Sequence, residues 1–323
     1  MRRFPFGHQP RMPAAPLSPP SHRLPIVDAA RGAAIVAMVA YHFSWDLEFL
    51  GFASLGLLEK PFWLAARTAI LGSFLLLTGV SLALAAERGF DRRRYLRRLG
   101  LLAAAAAAVS AVSYAQFPDS PIFFGVLHHI AVASVLGLGF LRLPVWTTAA
   151  LGVVVYALPE FVSVPLFDEP ALRWIGLMTF QPDSNDYVPL FPWFGIVLWG
   201  IALGRLWRGR GAGAAWRPAD TASRALAWAG RWSLPIYLVH QPVLFGALTL
   251  FALLAGSPDH ETRDFLANCE AGCASGGQTT CAAQCACIAD ELKRANLWQD
   301  VLASRYAGNT RAAVAAVVLG CKR

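Results

Sequence analysis

Charged side chains are scarce in this sequence: they make up 15% of its 323 residues, whereas soluble domains carry about 25%. The mean hydropathy is +0.47, so the chain lacks the low hydropathy that intrinsic disorder requires. A nucleic-acid-binding protein is a poor fit as well, because the net charge of +8 is scattered among long apolar runs. These deficits favour an integral membrane protein that contacts lipid and no nucleic acid.

Long apolar runs dominate what remains. A membrane-spanning helix needs about 20 predominantly apolar residues, and seven runs approach or exceed that length. They are residues 25–46, 62–86, 99–116, 122–141, 144–162, 188–207 and 234–255. Strands of a membrane barrel would alternate in polarity, and these runs do not. Because a helix satisfies its own backbone groups in lipid, we predict an all-α, polytopic transmembrane helical bundle of about seven spans.

Arginine placement predicts the orientation. Arginines are concentrated before the first span and in the connections after the second and sixth spans, while the opposite side offers Lys60, Arg67 and Arg173. By the positive-inside rule the N-terminus lies inside and the C-terminus outside. Residues 1–23, with six prolines and four arginines, are expected to form a disordered cytoplasmic tail. Arginine outnumbers lysine 25 to 3, which suggests a GC-rich bacterium and its inner membrane.

Cysteine is missing from the first 268 residues, and all six cysteines lie in the last 55. Because the predicted topology puts this tail outside, where disulfides persist, the even number predicts a disulfide framework. Cys269 and Cys273 are four residues apart, as are Cys281 and Cys285, so each pair lies on one helix face. Residues 274–280 suit a turn between two antiparallel helices. The predicted pairs are Cys269–Cys285, Cys273–Cys281 and Cys287–Cys321.

A zinc site is the alternative for these cysteines. The tail has one histidine, His260, and zinc sites more often use ligand pairs that are closer in sequence, so no metal is predicted. We expect residues 24–255 to form the transmembrane domain. Residues 256–323 would then form a small, disulfide-linked helical module outside the membrane, with a structural or binding role.

Ionisable side chains inside a bilayer are costly and usually functional, and the first predicted span contains Asp28, Arg31, His42 and Asp46. The eleven positions from Arg31 to His42 make about three turns, or about 16 Å, which puts both side chains on one face. Asp46, one turn beyond His42, is expected to orient the imidazole as a base. The alternative is that Asp28 and Arg31 cap the helix and His42 satisfies a hydrogen bond in the core.

Two further regions offer polar groups near the predicted outer surface. His128 and His129 lie about two turns into the fourth span, at a depth similar to that of His42. Their side chains point about 100° apart, so one of them is expected to face the interior. The loop before the sixth span carries Asp186, Tyr187 and Trp193, a mixture that suits hydrogen bonding and ring stacking with a sugar. An ordinary aromatic belt at the membrane interface is the alternative.

Four ordered segments resemble a family of membrane acyltransferases. The first reads Asp28-x-x-Arg31-Gly32-Ala33-x-Ile35-Val36-x-Met38 and is followed by His42, and the others are residues 124–128, 186–195 and 233–242. Together they cover about residues 23–255 and are similar to the heparan-α-glucosaminide N-acetyltransferase catalytic-domain family and its bacterial relatives. The spacing of Arg31 and His42 also resembles that in the acyltransferase-3 group, which O-acylates surface sugars.

The resemblance implies acetyl transfer from cytoplasmic acetyl-CoA, as a cosubstrate, to an amino or hydroxyl group of a sugar on the far side. Arg31, together with Arg205 and Arg231, would bind the phosphates of CoA, since arginine pairs with phosphate through two hydrogen bonds. His240 lies in the inner half of the seventh span, near these arginines, and is assigned to the same donor site.

The same resemblance implies roles at the outer end. His42, assisted by Asp46, would act as a general base on the acceptor or as a transient acetyl carrier. His128 would polarise the acyl carbonyl or shuttle the proton, and Asp186 would position the acceptor.

Two other functions fit the composition. A proton-coupled transporter would use His42, Asp46 and His128 as a relay, although internal repeats and paired broken helices, which are typical of transporters, are not found in the sequence. A non-catalytic scaffold would recruit a periplasmic partner through the cysteine-rich module. Binding of acetyl-CoA discriminates the acyltransferase from both.

Overall fold

The computed structural model of the protein describes residues 24–87, 89–209, 216–255, 260–275, 280–302 and 309–321. Within these ranges the regular structure is helical and contains no strand, which confirms the all-α prediction. The predicted cytoplasmic tail of residues 1–23 lies outside the described residues. The helices are α1 (Pro25–Phe49), α2 (Pro61–Glu87), α3 (Arg92–Gln116), α4 (Val126–Gly137), α5 (Val145–Ala157), α6 (Leu190–Gly209), α7 (Thr221–Arg231), α8 (Ser233–Ala255), α9 (His260–Ser275), α10 (Cys281–Arg294), α11 (Trp298–Leu302) and α12 (Asn309–Gly320).

Five of the seven predicted spans, α1, α2, α3, α6 and α8, are helices long and apolar enough to cross a membrane, whereas α4 and α5 are shorter than predicted. Residues 122–125, which were expected to begin the fourth span, are irregular. The N–H of Ile122 donates to Ser113 Oγ at 2.8 Å, and the carbonyl of Phe124 accepts from the N–H of Val188 at 3.0 Å. Non-helical backbone is tolerated at membrane depth where the protein itself satisfies it.

The long helices pack with alternating direction. Arg31 on α1 reaches Ser81 on α2, and Tyr41 contacts Trp63, so these two helices are antiparallel. Between α2 and α6 the approach is close, because a Cβ atom added at Gly79 would meet the backbone of α6. Around this contact lies the main core, which includes Leu75, Leu198 and Ile201. Outside it, large apolar side chains such as Trp146 and Phe161 are exposed, as suits a surface in contact with lipid.

The amphipathic helix α7 lies where the sequence predicts a cytoplasmic loop. The side chain of Asp220 caps its N-terminus by accepting from the N–H of Ser223 at 2.8 Å, and its inner face packs on α1. A Cβ atom added at Gly230 would overlap the carbonyl oxygen of Asp28, and one added at Gly32 would overlap that of Leu226. The α1–α7 contact therefore depends on these two glycines.

Helix α8 runs parallel to α1 but starts deeper in the bundle. His42 contacts His240, and Phe49 contacts Phe245. His42 is the eighteenth residue of α1 and His240 the eighth of α8, so α8 begins about ten residues, or about 15 Å, further along the bundle axis.

Three disulfides confirm the predicted pairing in the C-terminal module. Cys269–Cys285 and Cys273–Cys281 join α9 to α10, and Cys287–Cys321 ties α12 to α10. A small core of apolar side chains, including Leu292 and Trp298, lies between these helices. One contact joins the module to the membrane domain: the guanidinium of Arg263 on α9 donates to the carbonyl of Gly51, just after α1.

Candidate functional site

Two histidines from different helices meet near the end of α1. The ring centroids of His42 on α1 and His240 on α8 are 4.9 Å apart, with the planes inclined by 64°. One turn further along α1, the fully buried Asp46 accepts from Gln241 Nε2 at 2.6 Å. Four polar side chains from two helices thus form one cluster, which we call the His42–His240 cluster.

The hydrogen bonds of His240 determine its tautomer. Its Nδ1 lies 2.7 Å from the carbonyl oxygen of Tyr237, which can only accept, so Nδ1 carries the proton and Nε2 keeps a lone pair. This Nε2 is buried, and no described residue provides it with a hydrogen-bond partner. An imidazole held at one nitrogen with a free lone pair at the other has the arrangement of a general base.

Asp46 accepts its hydrogen bond from Gln241 instead of from His42, which was the expected partner. Its second oxygen, Oδ2, and Gln241 Oε1 are buried without a partner among the described residues. A buried carboxylate with one neutral amide donor is incompletely compensated. The cluster therefore has unused acceptor capacity for the hydrogen-bond donors of a ligand.

His128 is engaged within its own helix start. Its Nδ1 accepts from the N–H of Gly125 at 3.2 Å, and its Nε2 lies 3.3 Å from Ser110 Oγ. The Ser110 hydroxyl donates onward to the carbonyl of Ile122 at 2.5 Å. Since Nδ1 is the acceptor, Nε2–H is the donor to Ser110, and both ring nitrogens stabilise the N-terminus of α4. The role of His128 in proton transfer stays a prediction.

His129, the other half of the doublet, is fully buried. Its Nδ1 lies 3.1 Å from the carbonyl oxygen of Pro189 and donates to it. Of the two histidines, His129 therefore faces the interior of the bundle, where it anchors the loop that precedes α6.

Asp186 lies against the same helix end. Its Oδ2 accepts from the N–H of Val126 at 3.0 Å, a position that the helix dipole favours for an acidic group. Burial raises the pKa of this carboxyl, and the hydrogen bond from Val126 lowers it in part. A side chain at Gly125 would overlap the carboxylate, so glycine is needed there.

The two aromatic residues proposed for the acceptor are packed into the protein. Tyr187 donates its hydroxyl to the carbonyl of Arg173 at 2.7 Å and stacks on Phe123 with centroids 5.4 Å apart. Burial raises the pKa of Tyr187 to about 12. Trp193 is half-buried against the main core. Their roles in acceptor binding stay predictions.

Tyr237 links the two polar regions. Its ring centroid lies 5.8 Å from that of His240, one turn along α8, and it interacts electrostatically with Asp186. Ring contacts therefore join His42 to His240 and His240 to Tyr237, and Tyr237 lies in the electrostatic field of Asp186. The sequence predicts site roles for three of these four residues but places His240 at the opposite end of the bundle.

Of the three arginines assigned to the donor, Arg31 and Arg205 lie beside one end of α2, and Arg231 follows Gly230, which packs on the start of α1. Arg31 donates to Asp28 at 3.2 Å and to Ser81 at 2.8 Å. Arg205 follows Gly204, which packs on α2 at Val80 and Ala83, and donates to the carbonyl of Leu143. Arg231 is exposed beside the α1–α7 contact. The predicted donor residues thus share one end of the bundle, apart from His240.

No group of three or more histidine, cysteine, aspartate or glutamate side chains is arranged to hold a metal ion among the described residues. In comparisons with known proteins, the family model described as "Heparan-alpha-glucosaminide N-acetyltransferase, catalytic" matches residues 23–242. This match covers more than half of the chain. Neither the curated proteins nor the solved structures gave a match.

Proposed function

Because the chain belongs to the heparan-alpha-glucosaminide N-acetyltransferase catalytic family, we propose that it transfers an acetyl group from cytoplasmic acetyl-CoA to an extracytoplasmic sugar or amino sugar. The protein would lie in the inner membrane of a bacterium, surrounded by lipid. One observation carries this proposal: the ring of His42 contacts the ring of His240, and the buried Nε2 of His240 keeps a lone pair.

The donor would bind at the arginine end of the bundle. Arg31, Arg205 and Arg231 are cations that suit the phosphates of CoA, and their position at the same end of the bundle supports a single donor site. From Arg31 to His42 the rise along α1 is about 16 Å. The chain of CoA that joins its phosphates to the acetyl thioester would span this distance. The phosphates would then lie on the cytoplasmic side and the thioester near His42.

The chemistry would take place at the His42–His240 cluster. The acceptor nitrogen or oxygen attacks the thioester carbonyl, a new C–N or C–O bond forms, and the C–S bond breaks. By this direct route His42 would take the proton of the acceptor and pass it to the departing CoA thiolate. By the alternative route His42 attacks the thioester first and CoA leaves; the acceptor then attacks acetyl-His42, the bond between the acetyl carbon and the imidazole breaks, and the proton of the acceptor passes to His240. His240 lies where it can hold or relay this proton, while Asp46 and Gln241 would accept hydrogen bonds from the acceptor. Asp186, through Tyr237, would help to position it.

The C-terminal module, residues 256–323, would lie on the acceptor side, in the periplasm. The contact of Arg263 with Gly51 supports this placement, since Gly51 follows the end of α1 that carries His42.

The test is acetyl transfer by purified protein in nanodiscs, with radiolabelled acetyl-CoA and a panel of glucosaminides. His42→Ala and His240→Ala should each lower transfer at least about a hundredfold, the size of general-base catalysis. Both variants should still gain thermal stability from acetyl-CoA, because the donor phosphates bind elsewhere. Thr249→Val, which replaces a buried hydroxyl on α8 away from the cluster, should retain activity.

Retained activity in both histidine variants would contradict the mechanism. If acetyl-CoA does not stabilise the wild-type protein at any concentration, the acetyltransferase assignment fails, and the transporter and the scaffold become the functions to test.

A further inference from the structure

An open apolar groove adjoins the His42–His240 cluster on the outer surface of α7 and α8. It has a volume of about 460 Å³ and is lined by Trp228, Trp232, Pro235, Ile236, Val239, His240 and Val243. Of these seven side chains, six are apolar. His240 is thus common to the groove and to the cluster, since its ring also contacts His42.

The groove runs along the bundle axis from Val243, one turn beyond His240, past His240. Its other end is formed by Trp228 and Trp232, whose ring centroids are 6.5 Å apart, at the junction of α7 and α8. Because α7 packs beside Gly32 of α1, this end lies toward the arginine side. A chain that starts at His42, near the predicted outer surface, and follows the groove would therefore point toward the middle of the bilayer.

The location limits what can fill the groove. It lies on α8, which is long and apolar enough to cross the bilayer, and on the adjoining end of α7, and its lining is apolar. A soluble sugar or a peptide with unsatisfied backbone groups is therefore excluded. Its volume is in the range of small-molecule sites and suits a hydrocarbon chain. The acetyl group that the family transfers has no such chain, so the chain belongs to the acceptor.

We infer that the acceptor sugar is carried on a lipid whose hydrocarbon chain lies in the groove of α7 and α8 while the sugar reaches His42. This inference rests on the proposed function, because it names the acceptor class of the same site. It adds lateral entry from the membrane as the route by which the acceptor arrives.

Two acceptors that differ only in their aglycone test the inference. Hexadecyl glucosaminide in nanodiscs should be acetylated with a kcat/KM at least about tenfold above that of methyl glucosaminide, because a chain held in the groove gives the sugar a high effective concentration beside the cluster. Val239→Trp, which fills the groove, should reduce the ratio of the two kcat/KM values to about one. Val153→Trp, on the exposed face of α5, should behave as wild type. Equal rates for the two glycosides, or equal effects of the two substitutions, would overturn the inference.

Photolabelling separates failure of this inference from failure of the proposed function, since it needs no acetyl transfer. A hexadecyl glucosaminide with a diazirine in its chain should label residues 228–243, and unlabelled hexadecyl glucosaminide should displace it, while bulk phospholipid should not. Labelling that is equal on α5, or that the competitor does not reduce, would show ordinary membrane lipid in the groove and contradict the inference. A crosslinked dimer through these residues would contradict it as well, because a second copy would then occupy the groove.

Discussion

At the scale of single residues, the histidines differ in what their second ring nitrogen does. In His128 both nitrogens are bonded within the protein, whereas in His240 one nitrogen is held by a carbonyl and the other is buried without a partner among the described residues. A buried polar atom without a partner costs free energy. His129 Nε2 is also buried without a partner among the described residues, but of these two rings it is that of His240 that contacts His42, and this contact indicates a ligand or a proton-transfer role. Composition and spacing cannot distinguish the two histidines, because both lie in apolar helices near the same depth.

Replacement of His128 should affect stability more than replacement of His42. His128→Ala removes the hydrogen bonds to Gly125 and Ser110, and leaving their buried partners unsatisfied costs about 1–3 kcal/mol each. We expect a clearly lower midpoint of thermal unfolding in detergent for His128→Ala than for His42→Ala. A midpoint for His128→Ala equal to that of the wild type would contradict the capping role.

Asp186 should make stability depend on pH. Its pKa is raised above the ordinary value of 3.8 in the folded protein, so the folded state binds the proton more tightly than the unfolded state. Its contribution to stability is therefore present below pH 3.8 and is lost as the pH rises through the raised pKa. The asparagine of Asp186→Asn stays neutral at every pH, so this variant does not lose stability in this way. The unfolding midpoint of the variant minus that of the wild type should therefore increase from pH 4 to pH 7. A difference that does not change with pH would contradict this origin.

At the scale of helices, α7 determines which groups meet. It packs on α1 between Asp28 and Gly32, and α8 therefore starts about 15 Å further along the axis. This offset brings His240, only eight residues into α8, to the level of His42. If every span began at the membrane surface, as hydropathy alone suggests, His240 would lie beside the cytoplasmic arginines.

Two glycines provide a matched test of the α1–α7 contact. An alanine inside a helix is ordinarily favoured over glycine by about 0.5–1 kcal/mol. Gly246→Ala on α8, where an added Cβ meets nothing within 4 Å, should leave the unfolding midpoint unchanged or raise it. Gly230→Ala should lower it, because the new methyl group would overlap the carbonyl of Asp28 and push α7 away from α1. Equal shifts in the two variants would show that the contact contributes nothing to stability.

For the whole molecule, the disulfides tie the C-terminal module together at long and short range. Cys287–Cys321 closes 34 residues and Cys273–Cys281 closes 8. By loop entropy these bonds stabilise by about 4 and about 2.5 kcal/mol. Replacing Cys287 and Cys321 with serine should therefore destabilise the module more than replacing Cys273 and Cys281 with serine. The measurement is the rate of hydrogen exchange in α10 and α12, which should increase more in the first variant. The opposite order would show that the entropic account fails here.

The extent to which sequence predicts this protein differs between its parts. The disulfide pairing was predictable, since cysteines four residues apart on two helices joined by a short turn allow one antiparallel match. The long spans were predictable because a bilayer demands an apolar run of fixed length. By contrast, α4 is shorter than predicted, since polar contacts from α3 and from the loop before α6 let residues 122–125 leave the helix, and such contacts leave no signal in hydropathy. The other short helix, α5, ends at Ala157, two residues before Pro159.

The sequence by itself determined the helical class, the apolar spans and the cysteine pairs, because each follows from local composition or spacing, and its four ordered motifs carried the resemblance to the family. Only the tertiary structure decided that His240 meets His42, that Asp46 bonds to Gln241, and that a groove on α7 and α8 includes the same histidine. These contacts join residues about 200 positions apart. They depend on the sliding of one helix along another, which close packing at Gly32 and Gly230 sets and which no local pattern encodes.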